Sequence, residues 1–202
     1  MLHALADAVF PSSCPGCGGR NPRDEPWCAA CGATARPAPR GAVPVGVDDL
    51  VVAYAYEGVV RELVARVKYH NRRSVLPWLG AAVAGMLDVR DLDVVTWVPT
   101  TSVRRRQRGF DHGELLARAV GRELGRPVRR LLRRRDAEPQ TGASRVARSR
   151  GPVLVGTGGV AGLDVVVVDD VVTTGATLAA AARVLHERAA RSVVAAVAAR
   201  TP

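Results

Sequence analysis

The chain has 202 residues, a mass of 21.3 kDa and a hydrophobic share of 48%, which is enough for one α/β domain with a small appendage. It contains no run of 18 apolar residues, so we expect no membrane insertion. Its formal net charge of +10, from 29 Lys and Arg against 19 Asp and Glu, predicts attraction to polyanions, although a GC-rich coding sequence would also enrich arginine.

The first ten residues predict a short amphipathic helix. Four apolar side chains fall on one helical stripe: Leu2, Leu5, Val9 and Phe10. Pro11 ends the pattern, and Asp7 interrupts what would be the apolar centre of a signal peptide. We therefore expect a cytoplasmic protein, and in that reducing compartment cysteines are more often metal ligands than disulfides.

All four cysteines of the chain follow the pattern C-x₂-C-x₁₀-C-x₂-C: Cys14, Cys17, Cys28 and Cys31. Each CxxC pair presents two thiolates from one tight turn, and glycines beside them let the backbone fold around a metal. The pattern predicts a closed, structural zinc ribbon that holds about 20 residues with too little apolar surface to fold alone. Two disulfides, a rubredoxin-like iron site and free thiols are the alternatives.

Zinc ribbons commonly contact proteins or nucleic acids, so protein partners of this ribbon are one expectation. Its basic residues Arg20 and Arg23 are matched by Asp24 and Glu25, which gives little electrostatic support for contact with DNA. Residues 33–46 then carry three prolines and two glycines, the composition of a linker. We expect a helix and ribbon in residues 1–34, a linker in 35–47 and an α/β domain in 48–202.

Strand and helix patterns alternate after the linker. The predicted strands are residues 50–56, 93–99, 128–132, 164–170 and 192–199. The predicted helices are residues 59–69, 76–87, 113–124 and 176–188. This alternation predicts a parallel sheet flanked by helices and joined by right-handed crossovers. The unbroken valine run 165–168 is typical of a central strand that is buried on both faces.

Two adjacent acids, Asp169 and Asp170, come where that strand is expected to end. Ligands of open α/β sheets bind outside the carboxyl ends of the strands, and carboxylates accept hydrogen bonds from ribose hydroxyls or from the waters of Mg²⁺. The residues that follow supply hydroxyls and free N–H groups at a helix N-terminus, which suit a phosphate: Thr173, Thr174, Gly175, Ala176 and Thr177. An ordinary capped turn is the alternative explanation.

The segment 165–177, VVVVDDVVTTGAT, resembles the signature of type I phosphoribosyltransferases that binds phosphoribosyl pyrophosphate (PRPP). The resemblance implies that PRPP binds here with Mg²⁺. It also implies that Asp169 and Asp170 face the ribose hydroxyls as catalytic residues, while the turn after them cradles the 5-phosphate.

The order of motifs between about residues 2 and 200 resembles the ComF (competence protein F) family, in which a zinc ribbon precedes a phosphoribosyltransferase-like domain. The motifs are the two CxxC pairs, VKYHNRRS, VPTTSVRRRQRGFDH and DDVVTTGATL. The resemblance implies pyrophosphate binding by Thr100, Thr101, Ser102, Arg104 and Arg108. Asp111 stands where the family usually has Asn, and Gln140, Arg145 and Arg148 match later family positions less closely.

Two functions follow from this resemblance. The first is a phosphoribosyltransferase whose acceptor cannot be read from the sequence. The alternative is a non-enzymatic PRPP sensor that binds single-stranded DNA during DNA uptake or processing, which the family name and the positive charge favour.

Some further residues carry weaker expectations. Lys68, the only lysine, is a candidate substrate contact. We expect the histidines to be surface or packing residues, the arginines of residues 129–135 to be solvated, and Trp78 and Trp97 to lie in the core.

Overall fold

The computed structural model describes residues 13–14, 16–21, 27–70, 73–88, 92–135 and 152–202. Within them, a four-stranded parallel sheet forms the centre of the α/β domain. Its strands, in spatial order, are β1 (Asp49–Ala55), β6 (Ser192–Arg200), β5 (Asp164–Val172) and β2 (Val94–Trp97). A separate antiparallel pair consists of β3 (Leu132–Arg134) and β4 (Leu154–Gly156).

Helices cover both faces of the parallel sheet. They are α1 (Ala29–Gly32), α2 (Gly58–His70), α3 (Leu76–Ala84), α4 (Ser102–Arg108), α5 (His112–Leu124) and α6 (Ala176–His186), with a 3₁₀ turn at Arg73–Val75. The parallel sheet with flanking helices confirms the predicted fold class. In the described part of the chain, no helix is long and apolar enough to cross a membrane.

The valine run of β5 is buried on both faces, as its sequence predicts. Val165 and Val167 pack in the apolar layer under α6, whereas Val166 and Val168 pack in the layer formed by α2, α3 and α5. Because successive strand residues point to opposite faces, each layer receives every second valine. A strand of this kind can tolerate polar residues only where it leaves both layers.

Several predicted boundaries differ from the structure. Strand β5 continues to Val172, so the two acids lie inside the strand and not at its end. Helix α3 ends at Ala84, earlier than expected. Of residues 128–132, Val128 forms only an isolated bridge to Val95 of β2, because the chain turns away to form β3. Trp97 is buried as expected, but Trp78 is 37% exposed and is not a core residue.

Helix α4 is not among the elements predicted from the sequence. The helix begins after Thr101, whose hydroxyl accepts a hydrogen bond from the backbone N–H of Arg104 at 3.2 Å. It ends at Gly109, which has φ 76°. A threonine cap and a terminal glycine are the usual bounds of a helix, so these two residues were the overlooked signal.

The predicted linker lies against the α/β domain. The backbone N–H of Ala55 donates to the carbonyl of Arg36, and the Arg200 guanidinium donates to the carbonyls of Pro39 and Ala42. The predicted division at residues 34 and 47 stays a prediction. The N-terminal helix of residues 2–10, together with Gln140, Arg145 and Arg148, lies outside the described residues.

Helix α3 offers a test of how closely it packs on α5. A β-carbon added at Gly80 would lie 2.5 Å from the Ala119 side chain and 3.0–3.1 Å from the backbone of Ala119 and Val120. Intrinsic propensity favours Ala over Gly by about 1 kcal/mol, but overpacking costs about 1–3 kcal/mol. We expect Gly80→Ala to lower the free energy of unfolding, measured by denaturant titration. A more stable variant would show that the helices do not pack this closely.

Candidate functional site

The acid pair faces a cleft that arises from unequal strand lengths. Strand β2 pairs with Val165–Val168 and ends there, with a last hydrogen bond from the Val98 N–H to the Val168 carbonyl at 3.1 Å. On the other side, β6 accompanies β5 up to Val172. Asp169 and Asp170 therefore extend beyond β2 at the carboxyl end of the sheet, where ligands of parallel sheets bind.

The cleft has a volume of about 190 Å³. Six of the predicted site residues line it: Thr100, Arg104, Arg108, Asp169, Asp170 and Thr177. The lining thus combines acids from β5, arginines from α4 and a threonine from the first turn of α6. The structure brings together residues that are up to 77 positions apart in the sequence, from Thr100 to Thr177.

The other residues predicted for pyrophosphate binding belong to the start of α4. Thr101 caps the helix and Ser102 is its first residue. The loop before them is held by Asp111, whose carboxylate accepts hydrogen bonds from the backbone N–H groups of Thr100 and Gly113, both at 3.1 Å. Asp111 thereby also caps α5. Asp111 therefore has a structural function, which its negative charge alone does not reveal.

The predicted phosphate-binding turn connects β5 to α6. Thr173 and Thr174 are exposed, Gly175 is the cap with φ 75°, and Ala176 begins the helix. A β-carbon at Gly175 would lie 2.6 Å from the ring of Pro44, so only glycine satisfies both the left-handed backbone and the close contact. The predicted linker therefore contacts this turn directly.

Asp170 is the centre of a chain of polar contacts. The Lys68 ammonium lies 2.9 Å from each of its carboxylate oxygens, and His112 Nε2 lies 2.7 Å from Oδ2. The other ring nitrogen of His112, Nδ1, lies 3.1 Å from an Arg108 guanidinium nitrogen. Arginine only donates, so Nδ1 accepts, and Nε2 carries the proton that is donated to Asp170. Expecting His112 to be an ordinary packing residue was wrong.

The two acids differ in their electrostatics. Burial, followed by the adjacent charge of Asp170, raises the pKa of Asp169 to about 8. Burial would also raise the pKa of Asp170, but the hydrogen bond from His112 and the charge of Lys68 outweigh it and hold that pKa below its ordinary value. Asp170 is therefore the ionised member, and Asp169 retains its proton near neutral pH.

A second cleft of about 370 Å³ adjoins the first and shares Lys68, Tyr69, Arg104 and Arg108 with it. Tyr69 is 71% exposed, and the Arg108 guanidinium lies 5.1 Å from the centre of its ring. Tyr69 and Arg134, which lines the first cleft, were not predicted as site residues. For Tyr69, the available signal in the sequence was its position directly after the only lysine.

The four cysteines form one cluster, as predicted. Their sulfur atoms all lie within 4.8 Å of one another, and those of Cys17 and Cys28 are 3.7 Å apart. Four thiolates about 2.3 Å from a tetrahedral metal would be about 3.8 Å from one another, so the cluster fits a closed structural metal site. The backbone N–H groups of Cys28 and Gly19 point at the sulfurs of Cys14 and Cys17, at 3.3 and 3.4 Å.

The ribbon packs on helix α2. The Arg66 guanidinium donates to the carbonyl of Gly16 at 3.0 Å, and the ring of Trp27 meets that of Tyr54 edge-on at 5.7 Å. Lys68 lies two residues beyond Arg66 on the same helix. The cysteine cluster is therefore connected to the cleft through one helix.

Comparison with known proteins supports the interpretation of this site. Residues 111–202 match the family model of the phosphoribosyl transferase domain, a range that includes both acids and the turn after them. The chain is also 26% identical over 140 residues to competence protein ComFC of Bacillus subtilis (strain 168). That match covers 67% of this chain, and the chain spans 57% of the length of that curated relative. These matches, with the cysteine cluster, confirm the resemblance to the ComF family.

Two solved structures are similar to part of the chain. The allosteric regulatory enzyme of purine biosynthesis is 26% identical, with a TM-score of 0.47 over 62% of this chain and 25% of its own. Glutamine PRPP amidotransferase from B. subtilis in complex with ADP and GMP is 25% identical, with a TM-score of 0.43 over 61% of this chain and 26% of its own. This chain corresponds to about a quarter of each of those proteins.

Because Asp169 is protonated and Asp170 is ionised, replacing each of them by asparagine should have opposite effects on the free energy of unfolding. An Asp with a folded pKa near 8 and an unfolded pKa of about 3.9 makes the protein less stable as pH rises between these values. Asp169→Asn removes this penalty. We expect its unfolding free energy, relative to wild type and without ligand, to increase between pH 5 and pH 8.5 by about 1–3 kcal/mol.

Asp170→Asn is the matched control, because it leaves the Lys68 ammonium without its carboxylate and should destabilise the protein at both pH values. Thermal or denaturant unfolding at the two pH values measures both effects. If the difference in unfolding free energy between Asp169→Asn and wild type is the same at both pH values, the conclusion that Asp169 is the protonated acid is wrong.

Proposed function

We propose that this chain binds PRPP together with Mg²⁺ and acts as a phosphoribosyltransferase on an unidentified acceptor. The observation that carries the proposal is that Asp169 and Asp170 line one cleft together with Arg104, Arg108 and Thr177 of the first turn of α6. The match of residues 111–202 to the phosphoribosyl transferase domain supports it.

Each part of PRPP would meet suitable chemistry in this cleft. The acids accept hydrogen bonds from the two ribose hydroxyls. The turn 173–177 and the N-terminus of α6 offer hydroxyls and N–H groups to the 5-phosphate. Thr100, Arg104 and Arg108 face the pyrophosphate from the opposite wall. Two carboxylates are hard oxygen donors of the kind that Mg²⁺ prefers, and the bound cation would neutralise charge on the pyrophosphate.

The reaction requires positioning and charge stabilisation more than a nucleophilic side chain. When pyrophosphate leaves, positive charge develops at the ribose ring and negative charge on the leaving group. The ionised Asp170 carboxylate would stabilise the first, with Asp169 holding the ribose beside it, and Arg104 and Arg108 would stabilise the second.

A second candidate function is PRPP sensing coupled to the binding of single-stranded DNA. The exposed ring of Tyr69, flanked by Arg104 and Arg108, favours it, because aromatic rings beside cations stack bases and attract the phosphate backbone. A PRPP-binding protein of this kind would release no pyrophosphate with any acceptor. It would bind single-stranded DNA with an affinity that decreases steeply as salt is added.

The metal of the cysteine cluster is zinc in this proposal. Zn²⁺ accepts four thiolates in tetrahedral geometry without redox chemistry, and a closed site with no open position serves structure. Its residues would hold the ribbon against α2 through Gly16 and against β1 through Trp27. Protein partners are a further proposal for the exposed surface of the ribbon.

Titration calorimetry with PRPP and Mg²⁺ tests the proposed ligand. We expect saturable binding by wild type, and a loss of at least about 100-fold in affinity for the Asp169→Asn, Asp170→Asn double variant, because the charge-assisted hydrogen bond to Asp170 and the hydrogen bond to Asp169 are both weakened. Glu114→Gln is the control, since this acid pairs with Arg118 on α5 away from the cleft. Equal PRPP affinity of the double variant and wild type would refute the proposed site.

Metal content tests the ribbon. We expect about one zinc ion per wild-type chain by elemental analysis and almost none in Cys28→Ser, since three thiolates bind zinc much more weakly than four. The near-ultraviolet circular dichroism of Trp27 should change, whereas the far-ultraviolet signal of the sheet and its helices should remain. Iron in place of zinc, or the absence of titratable thiols in unfolded wild type, would contradict the assignment.

A further inference from the structure

We propose that Lys68 is an exchangeable counter-ion that holds Asp170 before PRPP binds and passes to the pyrophosphate when the ribose takes its place, whereas His112 remains on Asp170 as a positioning residue. The inference rests on the proposed PRPP site. It assigns different functions to Lys68 and His112, and the family resemblance implies neither function.

Asp170 cannot receive a ribose while Lys68 holds it. The Lys68 Nζ atom is 2.9 Å from both carboxylate oxygens, and Oδ2 also accepts the His112 N–H. Oδ2 is itself buried between these two contacts, so a ribose hydroxyl cannot reach it while both remain. The Asp170 side chain is only 14% exposed, which leaves no separate approach for two hydroxyl groups. One partner must therefore leave when the ligand binds.

Lys68 is the partner that is able to leave. Its ammonium ends a flexible four-carbon chain on the last turn of α2, and it borders both clefts, so it reaches the second without backbone motion. His112, in contrast, is the first residue of α5, directly after the cap Asp111. Its ring is fixed from both sides, by Asp170 at Nε2 and by Arg108 at Nδ1.

The second cleft provides a destination for the displaced ammonium. Its described lining contains three cations, Lys68, Arg104 and Arg108, and no acid. Such a group of like charges attracts a polyanion, and the ionic contacts are strengthened because the site is partly shielded from water. Pyrophosphate bound at the Arg104 wall would therefore offer Lys68 a new partner at the moment when the ribose hydroxyls replace it on Asp170.

The proposed exchange predicts that Lys68 affects the binding of PRPP and of ribose 5-phosphate differently. Both ligands carry the ribose hydroxyls that compete with Lys68, but only PRPP carries the pyrophosphate that compensates its displacement. In Lys68→Met, the competitor and the pyrophosphate contact are lost together. A residue that merely supported the fold would affect both ligands alike.

Calorimetry with the two ligands, each with Mg²⁺ at pH 8.5, tests this prediction. For Lys68→Met we expect PRPP affinity to fall about tenfold or more, and ribose 5-phosphate affinity to stay equal or rise. Arg61→Met is the matched control, because it removes one exposed positive charge from the same helix. A parallel loss of affinity for both ligands in Lys68→Met would overturn the exchange, provided that thermal unfolding shows a folded variant.

His112 is expected to behave differently. His112→Leu should weaken both ligands alike, by about tenfold, since Asp170 loses a fixed hydrogen-bond donor. His112→Gln offers an N–H to Asp170 and a carbonyl to Arg108, and should restore affinity to within about threefold of wild type. If His112→Gln binds the two ligands no more tightly than His112→Leu does, the proposed positioning role of His112 is wrong.

The single lysine permits a direct observation of the exchange. Protein labelled with [ζ-¹⁵N]lysine has one side-chain signal, which we expect to shift on saturation with PRPP and Mg²⁺ and to differ already in free Asp170→Asn. An unchanged signal in PRPP-saturated wild type would refute displacement while leaving the PRPP site intact. If wild type binds neither ligand, the proposed function and this inference fall together.

Discussion

The buried charge of Asp170 constrains the architecture around it. A carboxylate in the floor of a cleft must be paired, because removal from water costs several kcal/mol that only close cations and donors can offset. Lys68 from α2 and His112 from α5 provide this pairing, and Arg108 from α4 supports His112 in turn. One side chain on β5 thereby fixes the relative positions of three helices. The same contacts keep Asp170 ionised and leave its neighbour Asp169 protonated.

The cleft itself follows from the sheet. Strand β2 has four residues and β5 has nine, so the end of β5 is paired on one side only. Beyond the end of β2, Asp111 ties the following loop to α5 through the Thr100 N–H. Because the valines before Asp169 are buried on both faces, the strand cannot shift its register without moving an acid into one of the two apolar layers. The position of the acid pair is thus a consequence of core packing.

The N-terminal part of the chain contacts this site through two routes. Arg66 joins the ribbon to α2, the helix that carries Lys68, and Pro44 packs against Gly175 in the turn proposed for the 5-phosphate. Arg200 holds the intervening segment to the end of β6 through two backbone carbonyls. The cysteine cluster can therefore influence how firmly the cleft is held.

The sequence alone determined what contiguous residues encode: the alternation of strands and helices, the buried valine run, the acid pair with its turn, and the four cysteines. These patterns are local, since backbone propensity and periodicity depend on neighbours along the chain. The sequence alone could not show that Tyr69 and Arg134 line the clefts, or that the ring of His112 contacts Asp170. Lys68 and Asp170 are separated by 102 positions, and His112 reaches the same carboxylate from a third segment. Only tertiary structure decided these contacts, because the direction of a side chain at a helix end depends on how the helices pack on the sheet.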